Sequence, residues 1–273
     1  MPEMPEVETI RRTLDDKVTG RKILRVGMLL PRLVKWPSPG EFQALVTDTV
    51  ITWLARRGKY LLFYLDSGIV MVVHLRMTGR LFVQTEWTDD RFARIVFELD
   101  DAKRLVYADS RTLGTLYAMP EAELWRIAGL HTLGPEPLSP EFTPGYFREK
   151  LRGRKGKIKA LLLDQKVIGG LGNIYVDESL ALAGIHPERA ADSLREEEAA
   201  KLYGAINTVI EQGIQYGGTS FRDYRDGEGG RGSNQHHLSV YGRKSQPCKI
   251  CGTPIAKGEV AGRGTHYCPN CQK

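Results

Sequence analysis

Cysteine occurs four times, and the spacing Cys248-x2-Cys251-x16-Cys268-x2-Cys271 gathers all four near the end of the chain. Each two-residue knuckle lets a pair of thiolates converge on one ion. Two knuckles on a hairpin complete a tetrahedron closed to water, the pattern of a zinc ribbon. Two disulfides are the alternative, and the other end of the chain bears on the choice. The first residues lack the basic patch, apolar stretch and small-residue cleavage site of a secretory leader. The expected compartment is therefore the reducing cytoplasm, where paired C-x2-C motifs hold metal rather than oxidise. Four sulfurs leave no open position for a catalytic ion. The expectation is one structural Zn2+ per chain on Cys248, Cys251, Cys268 and Cys271, with no organic cofactor.

Between the knuckles runs AGRGTHYC, which puts Arg263 between glycines at the tip or rim of the expected hairpin. Glycine lets the backbone approach another molecule closely, and a projecting guanidinium grips phosphate through two parallel hydrogen bonds. An arginine in a glycine loop is also ordinary surface, so the charge of the whole chain matters. Lys plus Arg outnumber Asp plus Glu by 39 to 33, for a net charge of +6 and a pI near 9.1. Such a balance suits a solvated basic surface or a polyanionic partner. The positive residues gather at Arg152, Arg154, Lys155, Lys157 and Lys159, and again between Arg222 and Arg263. No apolar run approaches the roughly 20 residues that span a bilayer, so no membrane partner is expected.

The chain opens MPEMPEVETIRR. Proline fixes φ and, inside a chain, has no amide hydrogen, so structure alone gives little reason to set one beside an initiator Met. Trimming of Met1 leaves Pro2 as a terminus with a free secondary amine, which is a nucleophile. Val7, Ile10 and Leu14 then form one apolar helical stripe, with Pro5 in the first turn and Glu6 and Glu8 at the positive end. From Ile23 to Asp109 the pattern is short β-rich runs: KYLLFYL, IVMVVHL, RLFVQ, ARIVFEL and RLVYA, with turns at 66–68 and 100–101. Hairpins in that number predict an antiparallel sandwich.

A helix is expected over Glu121–Leu130, and LGPEPLSPEFTP, with four prolines, reads as a linker. IKALLLDQ, NIYVDESLALAG and DSLREEEAAKLYGAINTVIEQGIQYG are helical in period. The glycine-rich GGTSFRDYRDGEGGRGSNQ offers few core anchors and predicts a mobile loop. The fold class is thus α+β. The expected layout is a β-sandwich domain over 1–130, a linker over 131–145, a helical domain over 146–236 and a zinc module over 237–273.

Taken in order, PE-x-PEVET, RRGKYLLF, HLRMTGR, LLLDQ followed by GLGNIYVDE, QHHLSVYGR and the closing ribbon with AGRGTHYC resemble the bacterial formamidopyrimidine-DNA glycosylase family from end to end. The resemblance implies an N-terminal β-sandwich flanked by helices, then a helix-two-turn-helix domain and a β-hairpin zinc finger, with DNA in the cleft between the domains. It implies excision of oxidised purines such as 8-oxoguanine and formamidopyrimidines from duplex DNA, preferably opposite cytosine, by a monomeric cytoplasmic enzyme of the nucleoid. Pro2 is then the nucleophile and Glu3 the acid that protonates the sugar ring oxygen. Glu6, Lys59 and His74 surround the lesion sugar and its phosphates, and Asn173, Arg263 and Lys159 hold the same backbone. The loop near 217–234 would cap the lesion.

Elementary chemistry agrees. A secondary amine that attacks the anomeric carbon expels the base and leaves an iminium, which acidifies the neighbouring C–H and leads to β,δ-elimination of the strand. An α-amino group has an ordinary pKa of ~7.7–8.0, against ~10.4 for lysine, so it is partly unprotonated at neutral pH. The helix dipole lowers that value further, while Glu3 and Glu6 oppose it. The residues alone leave other readings open: Glu3 as a helix-start acid, His74 as a strand-end histidine, Lys59 as a snorkelling lysine, Met77 and Leu113 as core. By the resemblance, Met77, Arg111 and Leu113 fill the space vacated by the flipped nucleotide. Leu113 departs from the family, which usually has Phe there. The related endonuclease VIII group, which takes oxidised pyrimidines, and a non-catalytic zinc-ribbon DNA-binding protein are the rival readings; the second leaves Met-Pro-Glu unexplained.

Overall fold

A computed structural model describes residues 2–86 and 90–273. The chain divides into two compact units, one made of residues up to His131 together with Tyr216–Gln235, the other of Thr132–Gln215 and His236–Lys273.

The first unit contains α1 (Met4–Val18), β1 (Ile23–Met28), β2 (Val34–Trp36), α2 (Pro39–Val46), β3 (Ile51–Arg57), β4 (Tyr60–Leu65), β5 (Ile69–His74), β6 (Gly79–Gln84), β7 (Ala93–Leu99), β8 (Arg104–Asp109), β9 (Thr115–Pro120) and α3 (Ala128–His131). The strands form a four-stranded sheet ordered β1-β7-β8-β6 and a five-stranded sheet ordered β2-β9-β5-β4-β3. All pairs are antiparallel except β2 with β9. Alternate residues of both sheets (Leu61, Phe63, Met71 and Val73 from one; Ile95, Phe97, Leu105 and Tyr107 from the other) enter one core, which Val7, Ile10 and Leu14 of α1 join. This is the period-two and period-3.6 burial read from the sequence, and each such large side chain contributes about 1.5–3 kcal/mol.

Three details depart from the expectations. Pro39–Val46 is helical, started by Ser38 and Glu41, whose side chains and backbone amides bond reciprocally. The helix expected over Glu121–Leu130 is broken into a 3-10 segment, Glu121–Arg126, and the short α3, because no residue of the first segment is buried and no apolar stripe holds it. The glycine-rich segment belongs with the sandwich rather than with the helices that precede it, and it has a core anchor: Tyr224 is buried among the sandwich residues. It is tied there by hydrogen bonds from Gly227 N to Thr13 Oγ1 (2.8 Å) and from Val83 N to Gly227 O (2.9 Å).

The second unit contains α4 (Pro144–Leu151), α5 (Ile158–Leu163), α6 (Asn173–Ala183), α7 (Glu196–Gln215) and the hairpin β10 (Ala256–Val260) and β11 (Arg263–Tyr267). The long helix α7 buries Leu202, Ile206, Val209 and Ile210 along one face. The hairpin turns on Ala261 and Gly262, both with positive φ (54° and 68°), the geometry that a two-residue connection demands. No helix among the described residues is long and apolar enough to cross a membrane.

Candidate active site and nucleic-acid interface

The start of α1 is built by its first residues. Pro5 presets the first turn, and Glu3 stands at the N-cap in extended conformation, φ −104° and ψ −171°. Pro2 and Glu3 are both buried. Glu6 holds them there: its Oε2 accepts the Glu3 amide at 2.8 Å and its Oε1 accepts the Thr219 amide at 2.7 Å. Tyr224 donates to the Glu6 carbonyl at 3.3 Å. Gly218 is required beside this carboxylate, since φ is 82° and a Cβ would lie 2.9 Å from Glu6 Cγ. Glu6 therefore braces the N-terminus against the 217–224 loop.

Glu8 has a separate job. Burial pushes its pKa up, but hydrogen bonds from Arg11 and Arg12 and the charge of Arg56 outweigh that and take it down to about 2. The 3.1 Å pair with Arg56 ties α1 to β3.

Lys59 and His74 come together through strand register: Lys59 precedes Tyr60, which pairs with His74 across β4 and β5. Both are nearly buried. His74 Nδ1 accepts the Arg76 amide at 3.0 Å, and its ring meets Tyr60 edge-on at 4.4 Å. Burial first, then the charges of Arg76 and Lys59, depress its pKa to about 3. The ring is neutral at physiological pH. With Nδ1 accepting, its proton sits on Nε2 and makes that atom a hydrogen-bond donor.

Met77 and Leu113 are 38% and 45% exposed, so neither is core, and Arg111 is exposed as well. Met77 rides the β5–β6 turn, Arg111 and Leu113 the β8–β9 loop. Asp109, fully buried at the end of β8, accepts from both: Thr78 Oγ1 at 2.6 Å on one side, and the amides of Arg111 (3.1 Å), Leu113 (2.8 Å) and Gly114 (2.9 Å) on the other. Burial raises its pKa; the bonds from Thr78, Gly114, Arg111 and Leu113 outweigh burial and hold it below the ordinary aspartate value.

In the second unit, α6 is the frame. Asn173, its first residue, donates Nδ2 to Gly264 O at 2.9 Å, beside Arg263, which is exposed at the start of β11. Asp177, one turn on, accepts Lys159 Nζ at 2.6 Å and the His266 amide at 2.8 Å. Lys159 is a correction to the expected phosphate contact. Its side chain is fully buried and also donates to Thr265 Oγ1 at 2.8 Å, so its charge braces the hairpin and presents no face to a ligand. Arg152, Arg154, Lys155 and Lys157, read in the same cluster, are exposed. Glu178 accepts three consecutive amides, Ser239 at 2.7 Å, Val240 at 2.9 Å and Tyr241 at 2.8 Å. Burial keeps its pKa raised despite those bonds. The Tyr241 ring packs on His266 at 5.0 Å.

Asp109, Asp177, Glu178 and Tyr241 were not singled out in the sequence, although Asp177, Glu178 and Tyr241 lie inside quoted motifs and Asp109 directly follows RLVYA. For the three carboxylates, an acidic residue in an apolar strand or helix was the available signal; Tyr241 carried none.

The four cysteine sulfurs lie within 4.8 Å of one another, with Cys248–Cys271 at 3.9 Å and Cys251–Cys268 at 3.5 Å. A tetrahedral ion with Zn–S bonds of about 2.3 Å needs sulfurs about 3.8 Å apart. A disulfide needs about 2.05 Å, which excludes that alternative. The amides of Ile250 and Cys271 approach the sulfurs of Cys248 and Cys268 at 3.4 Å each, favouring thiolates. The donor set fits one structural zinc.

Comparison with known proteins gives three family-model matches: the N-terminal domain of formamidopyrimidine-DNA glycosylase over residues 1–116, the H2TH domain of the same enzyme over 133–225, and a zinc finger found in FPG and IleRS over 245–273. The formamidopyrimidine-DNA glycosylase of Symbiobacterium thermophilum is 49% identical, covering 100% of this chain and 89% of that protein. That of Heliobacterium modesticaldum is also 49% identical, with 100% of each covered. Among solved structures, the Lactococcus lactis protein in complex with DNA containing an abasic site superimposes with a TM-score of 0.94 at 37% identity, covering all of both chains. The Thermus thermophilus protein does so with a TM-score of 0.91 at 40% identity, covering 99% of this chain and 98% of that one.

Proposed function

The chain belongs to the formamidopyrimidine-DNA glycosylase family, and from that premise we propose that it excises oxidised purines, 8-oxoguanine and formamidopyrimidines, from duplex DNA and then cuts the strand. The observation that carries this reading is the pair Pro2–Glu3, buried at the start of α1 with Glu6 bonded to the Glu3 amide at 2.8 Å. Glu3 also caps the first turn of α1, and its burial beside a secondary amine is what favours the acid role over capping alone.

With Met1 removed, the Pro2 nitrogen attacks C1′ of the lesion nucleotide; an N–C1′ bond forms, the glycosidic bond breaks, and the base departs with the proton that the amine sheds, which restores the nitrogen lone pair. Glu3 donates a proton to the ring oxygen, the ring opens, and the nitrogen lone pair completes an iminium. The iminium acidifies a C2′ hydrogen. Its loss expels the 3′ phosphate, and a second elimination expels the 5′ phosphate. The first turn of α1 favours the unprotonated amine. Lys59 and neutral His74, donating through Nε2, hold the flanking phosphates in the first unit. Asn173 and Arg263 do so in the second. Met77, Arg111 and Leu113 fill the vacated stack. The enzyme acts as a cytoplasmic monomer on nucleoid DNA, preferring lesions opposite cytosine.

Borohydride trapping on a duplex with 8-oxoguanine opposite cytosine tests nucleophile, substrate and mechanism together. The expected result is a stable crosslink mapping to the first peptide, from protein whose intact mass lacks Met1. A crosslink at Lys59, or strand cutting with no trapped adduct, overturns the assignment. Glu3→Gln is expected to bind damaged DNA and stall before base loss.

A further inference from the structure

Met77 sits on one β-connection and Arg111 and Leu113 on another, and all three side chains face solvent. Solvent gives them no packing that would fix their spacing. What links the two connections is a carboxylate beneath them. Asp109 Oδ1 takes Thr78 Oγ1 at 2.6 Å and Arg111 N at 3.1 Å; Oδ2 takes Leu113 N at 2.8 Å, Gly114 N at 2.9 Å and Tyr107 Oη at 3.3 Å. Thr78 Oγ1 closes the circuit by accepting Arg111 N at 3.2 Å. Converging loop amides make an anion-binding nest, and here the protein fills the nest with its own side chain.

A second device works alongside. The Tyr107 phenol is wedged between the connections, where a Cβ on Gly114 would come within 1.6 Å of Tyr107 Oη and one on Gly79 within 2.8 Å. Arg76 and Thr112, the non-glycine residues of these turns with φ of 54°, adopt a strained conformation that a loop keeps only when its surroundings dictate it. Arg32 adds a 2.6 Å bond to Thr112 Oγ1.

We propose that Asp109 is a positioning residue that fixes the spacing of Met77, Arg111 and Leu113 so that they enter duplex DNA as one rigid wedge. The inference rests on the insertion role given to those three side chains under Proposed function. A pre-ordered wedge loses little freedom on insertion, whereas two loops moving independently would have to be ordered at the moment of base extrusion.

The test uses Asp109→Asn, which keeps the volume but turns an NH2 donor toward amide donors, and Thr78→Val, which cuts the Met77 side and one of the two acceptors of the Arg111 amide but leaves that amide its bond to Asp109 Oδ1. Base extrusion is followed by 2-aminopurine fluorescence beside 8-oxoguanine in a duplex. Opposite-base discrimination is the ratio of excision rates against cytosine and adenine. Borohydride trapping on a single-stranded abasic oligonucleotide, where no stack needs filling, reports the nucleophile alone. Misplacement of about 1 Å can cost about 100-fold, so Asp109→Asn is expected to slow extrusion by roughly tenfold or more and to compress the discrimination ratio, with single-strand trapping changed less than about threefold. Thr78→Val is expected to slow extrusion and keep discrimination.

Equal losses on duplex and single strand in both variants would reduce Asp109 to a general structural role and overturn the proposal, as would no loss in either. Thr78→Val answers the question if Asp109→Asn does not fold. Met77→Ala and Arg111→Ala run in parallel. If they leave extrusion and discrimination intact, the insertion reading itself fails; if they impair both while Asp109→Asn and Thr78→Val do not, only the positioning role fails.

Discussion

Lys159 Nζ lies 2.6 Å from Asp177 Oδ1, and neither side chain has any solvent exposure. The pair joins α5 to α6, and through Thr265 and His266 it joins both to the strand that begins at Arg263. Removing one partner of such a pair leaves an uncompensated buried charge, at a cost of about 3–5 kcal/mol. Lys159→Ala is therefore expected to destabilise the second unit by that order in denaturant unfolding. It should also weaken DNA binding while leaving the salt dependence unchanged, because the Lys159 ammonium is fully buried against Asp177 and Thr265. A fall in the salt slope equal to that of a phosphate contact would return Lys159 to the interface.

Arg263→Ala should do the reverse. It sits exposed at the hairpin turn, so stability and metal content should hold while the slope of log K against log salt falls by about 0.9, the value for one phosphate contact. Affinity should drop alike for damaged and undamaged sequences. A wild-type slope in this variant would make the arginine mere surface.

These two residues also mark how far the sequence could be read. Arg263 was legible because glycines and a zinc-ribbon spacing announce an exposed turn before any coordinates exist. Lys159 was misjudged because it ends a basic run whose other members are exposed, and nothing local reveals that it occupies the inward face of α5, opposite an acid 18 residues away. The strands from Tyr60 to Asp109 and the stripe of α1 were readable because burial imposes their period. The helix after Ser38 was passed over, although S-P-G-E carries a capping box, because strands bracket it. The packing of the loop 217–224 on the sandwich had no signal in the residues, and only the resemblance gave the segment a role. Its anchor is Glu6, more than 200 residues earlier, and contacts of that range leave no local pattern.

Removal of zinc tests the ribbon. Cys248, Cys268 and Cys271 share a small cluster with Val240 and Ile255, too few apolar groups to hold a hairpin unaided. Chelation is expected to release one zinc per chain, expose four titratable thiols and abolish tight DNA binding, while the cooperative unfolding of the sandwich survives. Binding that persists in zinc-free protein would show that the hairpin folds without its ion.

His74 gives the protein a pH dependence with a definite sign. Its pKa is about 3 in the folded chain against 6.5 ordinarily, so the unfolded state binds the proton first. The stability it contributes is full above pH 6.5 and is lost progressively as pH falls toward 3. Glu8, lowered from 4.5 to about 2, adds a loss of the same sign at lower pH. Glu178, whose pKa burial raises, contributes the opposite sign above pH 4.5, so the histidine is isolated by difference: His74→Gln, which keeps a donor and an acceptor without titrating, should remove the loss of unfolding free energy that His74 adds between pH 6.5 and 4.5. An unchanged slope would mean that His74 titrates alike in the folded and unfolded chain.

By the resemblance, Leu113 stands where the family usually has Phe. The side chain is 45% exposed on a loop held from below by Asp109, so it is presented for contact rather than packed. An aromatic residue there can stack on a neighbouring base, and stacking on aromatic side chains is worth roughly 1–3 kcal/mol in single-strand binders. Leucine fills the same space with no π-face. Recognition of a lesion during sampling of intact duplex depends on brief insertion beside each base pair, whereas excision begins after the base has already left the stack. Leu113→Phe is therefore expected to speed lesion location on long DNA, measured as the rate of first cleavage at a single 8-oxoguanine in a plasmid-length duplex. Single-turnover excision in a short duplex should stay within about threefold, since the chemistry proposed at Pro2 is untouched. If the substitution instead alters short-duplex excision strongly and leaves the search rate as it was, Leu113 acts in the flipped complex beside Met77 and Arg111, and its role in sampling is excluded.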